Sequence, residues 1–326
     1  MRLFVADSIP GLPIIELLTQ EIGLYQTPIQ GNLLQTVESL RQSEAILVPH
    51  DAYNFSKYSE YIQYLNQLSR NKPIIFSDRG DFPKKPRIKN GLALRVALNP
   101  GESFNKKLVV PYNVLSLQDL PVRPYEVRPQ ISFVGYVPRV SAGRIIKNLQ
   151  QSPHHPLTGN GALVRRITLR NLKASELDIN IVSRDTYGAN KKTDGNLVNT
   201  RNEYIRSMSE SDFVLAPRGD ANQSARLYET LSAGRIPILP NTNQVLPNPF
   251  SQSRFDLGLP LSFSLLSRKS FENTLLAYWG GIETNDKYTK TQLMIRDYFR
   301  ENLEFNGFMR RFFSSSRDSL EELLNS

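Results

Sequence analysis

Short apolar runs recur along this chain, each closed by a polar or proline-bearing loop. They fall at residues 45–48, 74–76, 108–110, 131–134, 178–183, 213–216 and 236–239. Continuous apolar runs of this length, without strict alternation, suit strands buried on both faces of a parallel sheet. Between them lie polar stretches with apolar positions at helical spacing, which together argue an α/β fold. Residues 1–120 hold three or four of the predicted strands. Residues 118–128 carry Pro121 and Pro124 and read as an interdomain linker. A second α/β unit opens at Ile131. The stretch 151–161 is rich in Pro, His and Gly, and 187–199 in Gly, Lys and Asn; both read as loops. From Asp286 onward the pattern is helical, with Leu293, Tyr298, Leu303 and Phe308 among its apolar positions. The predicted division is 1–120, a linker at 121–130, 131–289, and terminal helices at 290–326. No internal repeat is visible.

The stretch 211–240 is the most informative. Phe213 to Ala216 suits a buried strand, and Pro217, Arg218, Gly219 and Asp220 break it. Asn222 or Ser224 can cap a helix that runs to about Ser232, with Gly234 as its stop. Ile236 to Leu239 then gives a second strand, so the unit needs a parallel crossover. On the helix, Leu227 and Leu231 share one face, and Arg226, Glu229 and Ala233 lie nearly opposite. Arg218 falls at the carboxyl end of a strand, where open α/β sheets bind ligands. A helix N-terminus beside arginines suits a diphosphate. A glutamate further along can accept two hydroxyl hydrogen bonds, as from a ribose. The pattern describes a nucleoside diphosphate.

These residues resemble the signature of the exostosin family of glycosyltransferases, family 47 of the sugar-enzyme classification. Ser211, Phe213, Leu215, Pro217, Gly219, Asp220, Ser224, Arg226, Glu229, Leu231, Gly234, Ile236 and Pro237 all fit its spacing. Arg235 departs from it, because family members often carry a small residue there. Weaker matches at 45–49, 73–78, 107–112 and 131–135 follow the family's order of strands. The resemblance implies the GT-B architecture: two Rossmann-like domains with parallel sheets facing across a cleft. The nucleotide then sits on the second domain and the acceptor mainly on the first, with the terminal helices available to return to the first. Eukaryotic exostosins are typically membrane-anchored; this chain looks like a soluble bacterial-type member.

Composition changes this picture little. A chain of 326 residues usually makes two domains of about 100–200 residues. It contains no cysteine, so neither disulfides nor thiolate chemistry are available. Asp7 interrupts the only candidate leader, and no apolar run approaches a membrane span. The expectation is a cytoplasmic location. The net charge of +9 suits anionic sugar donors, acidic glycans or an anionic membrane surface, which leaves room for peripheral membrane contact. No nucleic-acid motif accompanies the charge, so no nucleic-acid partner is expected.

The expected activity is transfer of a sugar from a nucleoside-diphosphate sugar, UDP-linked, to a carbohydrate or glycolipid acceptor with inversion. The alternative is a non-catalytic nucleotide-sugar or glycan-binding protein that retains the donor site. The donor-binding candidates are Arg218, Gly219, Ser224, Arg226 and Glu229. Arg144 and Arg166, with Arg139 as a third option, lie downstream of Phe133-Val134-Gly135, where the family places a phosphate-binding arginine. The catalytic base should be a carboxylate or imidazole at a strand's carboxyl end. His50 and Asp51 follow one strand of the first domain, and Asp78 and Asp81 follow another. No cofactor and no metal are expected: arginines stand where metal-dependent enzymes place paired aspartates, Asp185 and Asp194 are poorly spaced, and His154 and His155 lack a third ligand nearby.

Overall fold

The computed structural model describes residues 2–12, 35–70, 72–78, 86–98, 107–143, 145–146, 158–185, 196–247, 258–305, 307–308 and 311. Two compact units emerge. Unit 1 comprises Met1–Pro111 with Val245–Pro247 and the chain from Phe305; unit 2 comprises Tyr112–Gln244 and Asn248–Glu304.

Unit 1 is built on β1 (Arg2–Val5), β2 (Gln35–Thr36), β3 (Ala45–Leu47), β4 (Ile74–Asp78), β5 (Gly91–Arg95) and β6 (Lys107–Val109), with helices α1 (Ala52–Phe55) and α2 (Ser59–Leu68). Every strand pair is parallel and the order is β2-β1-β3-β4-β5-β6. The sheet's apolar runs meet the helices in a core of Ile46, Val48, Phe55, Leu65, Ile74 and Phe76. Phe55 packs edge-on against both Phe76 and Tyr61, with ring centroids 5.9 Å apart in each pair, a favoured aromatic geometry.

Unit 2 carries β7 (Gln130–Tyr136), β8 (Asp178–Arg184), β9 (Phe213–Leu215), β10 (Ile236–Pro240) and β11 (Leu261–Phe263). Its helices are α3 (Gly161–Lys173), α4 (Asn196–Ser209), α5 (Ala225–Ser232), α6 (Arg268–Gly280) and α7 (Asn285–Tyr298). This sheet is also wholly parallel, in the order β11-β10-β9-β7-β8. The fold class is therefore as the sequence implied: two α/β units, each around a parallel sheet. Gly234 closes α5 with φ +70, the left-handed turn a glycine allows at least cost.

The segment read as a linker is tied to unit 2. Arg123 Nε donates to Asp212 Oδ1 at 2.8 Å, and Gln292 bonds both the N–H and the carbonyl of Arg123. Tyr125 stacks on Trp279 at 5.2 Å, and the Trp279 indole N–H reaches Glu126 O at 3.1 Å. Arg235, the departure from the family pattern, is fully buried here. Its guanidinium donates to the carbonyls of Met208, Pro121 and Ser209 and to Gln292 Oε1. A small residue could not make these bonds, so Arg235 binds the Pro-rich segment to the core of the unit. α7 belongs to unit 2, while the chain from Phe305 groups with unit 1. Helix α4 begins at Asn196, so the last residues of the loop expected at 187–199 are helical; 186–195 lie outside the described residues.

Candidate functional site

In unit 2 the chain runs from β7 to β8 on one side and then returns to β9 on the other. The order reverses between β7 and β9, and an open α/β sheet holds its ligand at the carboxyl ends of such a pair. Arg218, Gly219, Ser224, Arg226 and Glu229 lie on the loop and helix that follow β9.

β9 ends at Leu215, and the loop 216–224, with Pro217, leads into α5. Asn222 fixes this loop: its Nδ2 donates to Thr242 O at 3.2 Å, and its Oδ1 accepts from Thr242 Oγ1 at 2.8 Å. Arg218 is only 3% exposed. Its Nη1 donates to Thr158 O and Asn222 Oδ1, and its Nη2 to Asp220 O at 2.9 Å. Expected as a diphosphate ligand, Arg218 is here a brace for its own loop, because buried carbonyls draw its donors inward. Ser224 stands at the N-cap of α5 with extended backbone, yet its hydroxyl makes no cap bond. Of its two expected roles, capping is the one this geometry does not use.

The loop also abuts α3. A Cβ on Gly161 would lie 1.9 Å from Gly219 O, so only glycine permits this approach. Asn160 caps α3 through Oδ1 on Leu163 N. One turn along, Arg165 spans the gap, with Nε on Arg218 O at 3.0 Å and Nη1 on Tyr136 O at 2.7 Å. Arg165 thus joins the ends of β7 and β9; the sequence points to Arg166 and Arg144, as phosphate ligands, and not to Arg165. Arg166 donates to Pro138 O at 3.1 Å. Arg139 is exposed, and Arg144 lies outside the described residues.

Arg226 reaches across to β7. Its Nη2 donates to Val134 O at 2.9 Å, and its guanidinium lies 4.9 Å from the Phe133 ring centroid and 5.7 Å from that of Tyr204, within cation–π range. A Cβ on Gly135 would meet Arg226 Nη2 at 2.6 Å, so this glycine makes room for the arginine. Glu229, on the same face of α5, accepts from Arg201 Nη1 at 2.6 Å and from Tyr204 OH at 2.7 Å. Burial, then the Glu229 charge, push the Tyr204 hydroxyl well above its ordinary pKa, so it stays a donor. Arg201 and Tyr204 carry no motif and went unread in the sequence.

Unit 1 has its own reversal, between β1 and β3. His50 lies there but is fully buried, and its Nε2 accepts from Ile9 N at 2.8 Å. That bond occupies the nitrogen a base would use and ties the end of β1 to the end of β3. Asp51 is half-buried, with Ser77 Oγ at 3.3 Å from its Oδ2. Asp78 is the last residue of β4 rather than a loop residue. It is fully buried in an ion pair with Arg95 at 2.6 Å, its register partner on β5. Asp81 lies outside the described residues, as do Asp194, His154 and His155. Asp7 lies two residues past the end of β1 and is exposed. Tyr64 OH donates to its Oδ2 at 2.9 Å and Tyr61 OH to its carbonyl at 2.8 Å. Burial raises both phenols' pKa, which keeps them donors. Among the described residues, no group of three or more His, Asp or Glu converges as a metal site, and no helix is long and apolar enough to cross a membrane.

A family model described as the RXYLT1 C-terminal domain matches residues 165–258. The matched segment holds Arg165, Arg201, Tyr204, Arg226 and Glu229. No curated protein matches the chain. Among solved structures it is similar to a glycosyltransferase from Rickettsia africae ESF-5, at 14% identity and TM-score 0.45, covering 100% of this chain and 98% of that one. The lipopolysaccharide outer core galactosyltransferase WaaB is similar at 12% identity and TM-score 0.47, covering 97% and 100%. TarM is similar at 11% identity and TM-score 0.40, covering 81% of this chain; the chain spans 57% of TarM's length.

Proposed function

We propose that this chain is a glycosyltransferase that moves a sugar from a UDP-type donor to a carbohydrate or glycolipid acceptor with inversion. One observation carries the reading. At the β7–β9 switch point, Glu229 is held at both oxygens, beside Arg226 and the N-terminus of α5. A ribose diol would lie on Glu229. The diphosphate would lie against the helix N-terminus and Arg226, with Ser224 and the backbone around Gly219 close by. In the reaction the acceptor oxygen attacks the anomeric carbon, the bond to the diphosphate breaks, and a base takes the hydroxyl proton. Asp7, just past β1, is proposed as that base, with Asp51, which follows β3, as the other candidate. A binding protein without catalysis is the second reading, favoured by the burial of His50 and Asp78.

A thermal-shift screen of nucleoside diphosphates and nucleotide sugars tests the donor class, because a true ligand stabilises by mass action. Transfer or donor hydrolysis, assayed beside binding, separates the two readings. In calorimetry, Glu229→Ala should weaken UDP binding about ten- to a hundredfold, the worth of hydrogen bonds to a charged group. Unchanged affinity would remove Glu229 from the donor site.

Charge on the leaving diphosphate would be offset by Arg226 and the helix dipole rather than by a divalent ion. Transfer should therefore survive excess EDTA and fall on Arg226→Ala. Loss of activity in EDTA, restored by manganese or magnesium, would overturn this.

A further inference from the structure

We propose that Arg201 and Tyr204 are positioning residues that set the selectivity of the Glu229 site for ribose over 2′-deoxyribose; this rests on the placement of the donor ribose at Glu229. The two donors come from one face of α4, three residues apart, and each takes a different carboxylate oxygen: Arg201 Nη1 on Oε1 at 2.6 Å and Tyr204 OH on Oε2 at 2.7 Å. A glutamate on a helix surface otherwise samples several rotamers, and a ligand must bear the entropy of ordering it. Tethered at both oxygens, the carboxylate has a fixed plane before any ligand arrives. Each oxygen keeps a second acceptor site, so two adjacent hydroxyls meet two pre-aimed acceptors. A sugar lacking one hydroxyl leaves one of them unmatched.

The tether is itself anchored. The Tyr204 ring lies 5.2 Å from the Arg201 guanidinium and 5.7 Å from that of Arg226, which in turn packs on Phe133. Three elements, β7, α4 and α5, thereby fix one carboxylate. Such fastening exceeds what helix packing needs, because Leu227 and Leu231 already bury the other face of α5. Two buried guanidinium nitrogens here, Arg226 Nε and Arg201 Nη2, have no hydrogen-bond partner. Buried donors of this kind suit a ligand with acceptor oxygens.

Calorimetry of UDP against 2′-deoxy-UDP, with the ADP and GDP pairs in parallel, tests the inference on the full chain. The wild type should prefer the ribose form by about tenfold or more. Tyr204→Phe, which removes only the hydroxyl, and Arg201→Gln should each shrink that ratio to about twofold, with Arg201→Lys restoring part of it. A merely structural role would weaken both ligands together and leave the ratio in place; that result overturns the inference. A wild type that binds a nucleoside diphosphate without discriminating places the failure in the ribose reading of Glu229 instead.

Discussion

Asp78→Ala should destabilise unit 1 by about 3–5 kcal/mol, the cost of stripping one partner from a buried ion pair. Arg95 is 1% exposed, and its Nε donates to Ala97 O at 2.9 Å. Asp78→Ala removes the carboxylate that its Nη1 meets at 2.6 Å inside this buried pair. The chain's single tryptophan, Trp279, lies in unit 2. Urea unfolding followed by far-UV circular dichroism should therefore lose its early portion to lower urea, while the tryptophan fluorescence transition holds its place. Replacing both partners, as in Asp78→Leu with Arg95→Met, should recover much of the loss, because matched apolar groups carry no desolvation cost. A dichroism midpoint unmoved by Asp78→Ala would return Asp78 to the list of catalytic candidates.

The sequence located Asp78 correctly after an apolar run and misjudged what surrounded it. A carboxylate at a strand's end reads the same whether it faces solvent or a neighbouring strand. Only the pairing of β4 with β5 reveals Arg95 beside it, and β5 itself, 91–95, begins with glycine and ends in arginine, which weakens its apolar signal. β1 was hidden for a related reason: Arg2–Val5 is short, and Asp7 stands two residues beyond it. By contrast, the crossover at 213–240 was legible nearly residue by residue, because Pro217, Gly234 and Pro237 punctuate it and Leu227 and Leu231 orient its helix.

Of the candidate site, the part that one local segment supplies was legible, and the part where three elements meet was not. Arg226 and Glu229 lie on one helix, so helical spacing alone puts them on one face. Arg201 and Tyr204 reach that face from α4, and Arg165 from α3; no spacing in the sequence encodes those contacts. Arg218 shows the converse limit. Its position in the loop was predicted, but the direction of its side chain depends on carbonyls at Thr158 and Asp220. The Gly161–Gly219 approach was likewise invisible, since either glycine alone reads as a turn or a cap.

Asp7→Asn should lower kcat for transfer by about 10²–10⁴-fold, the usual contribution of a positioned general base. His50 is buried with Nε2 accepting from Ile9 N, and Asp78 is paired with Arg95 inside unit 1, whereas Asp7 is open to solvent. Asp7 is exposed at the carboxyl end of β1, beside the reversal of strand order where this sheet would hold a ligand. Tyr64 OH donates to its Oδ2 and so orients the carboxylate; Oδ1 would then take the hydroxyl proton. Asparagine preserves shape and the Tyr64 contact while removing the basic oxygen. Because a base acts in the transition state, UDP affinity should stay within about twofold of wild type, and the loss should appear in kcat rather than in donor binding. Tyr64→Phe should cost less, since it loosens the carboxylate without removing it. Asp51→Asn is the comparison variant: Asp51 follows β3 and is half-buried beside Ser77. Full turnover in Asp7→Asn, with loss in Asp51→Asn, would move the base to the end of β3. Full turnover in both would leave neither residue as the base.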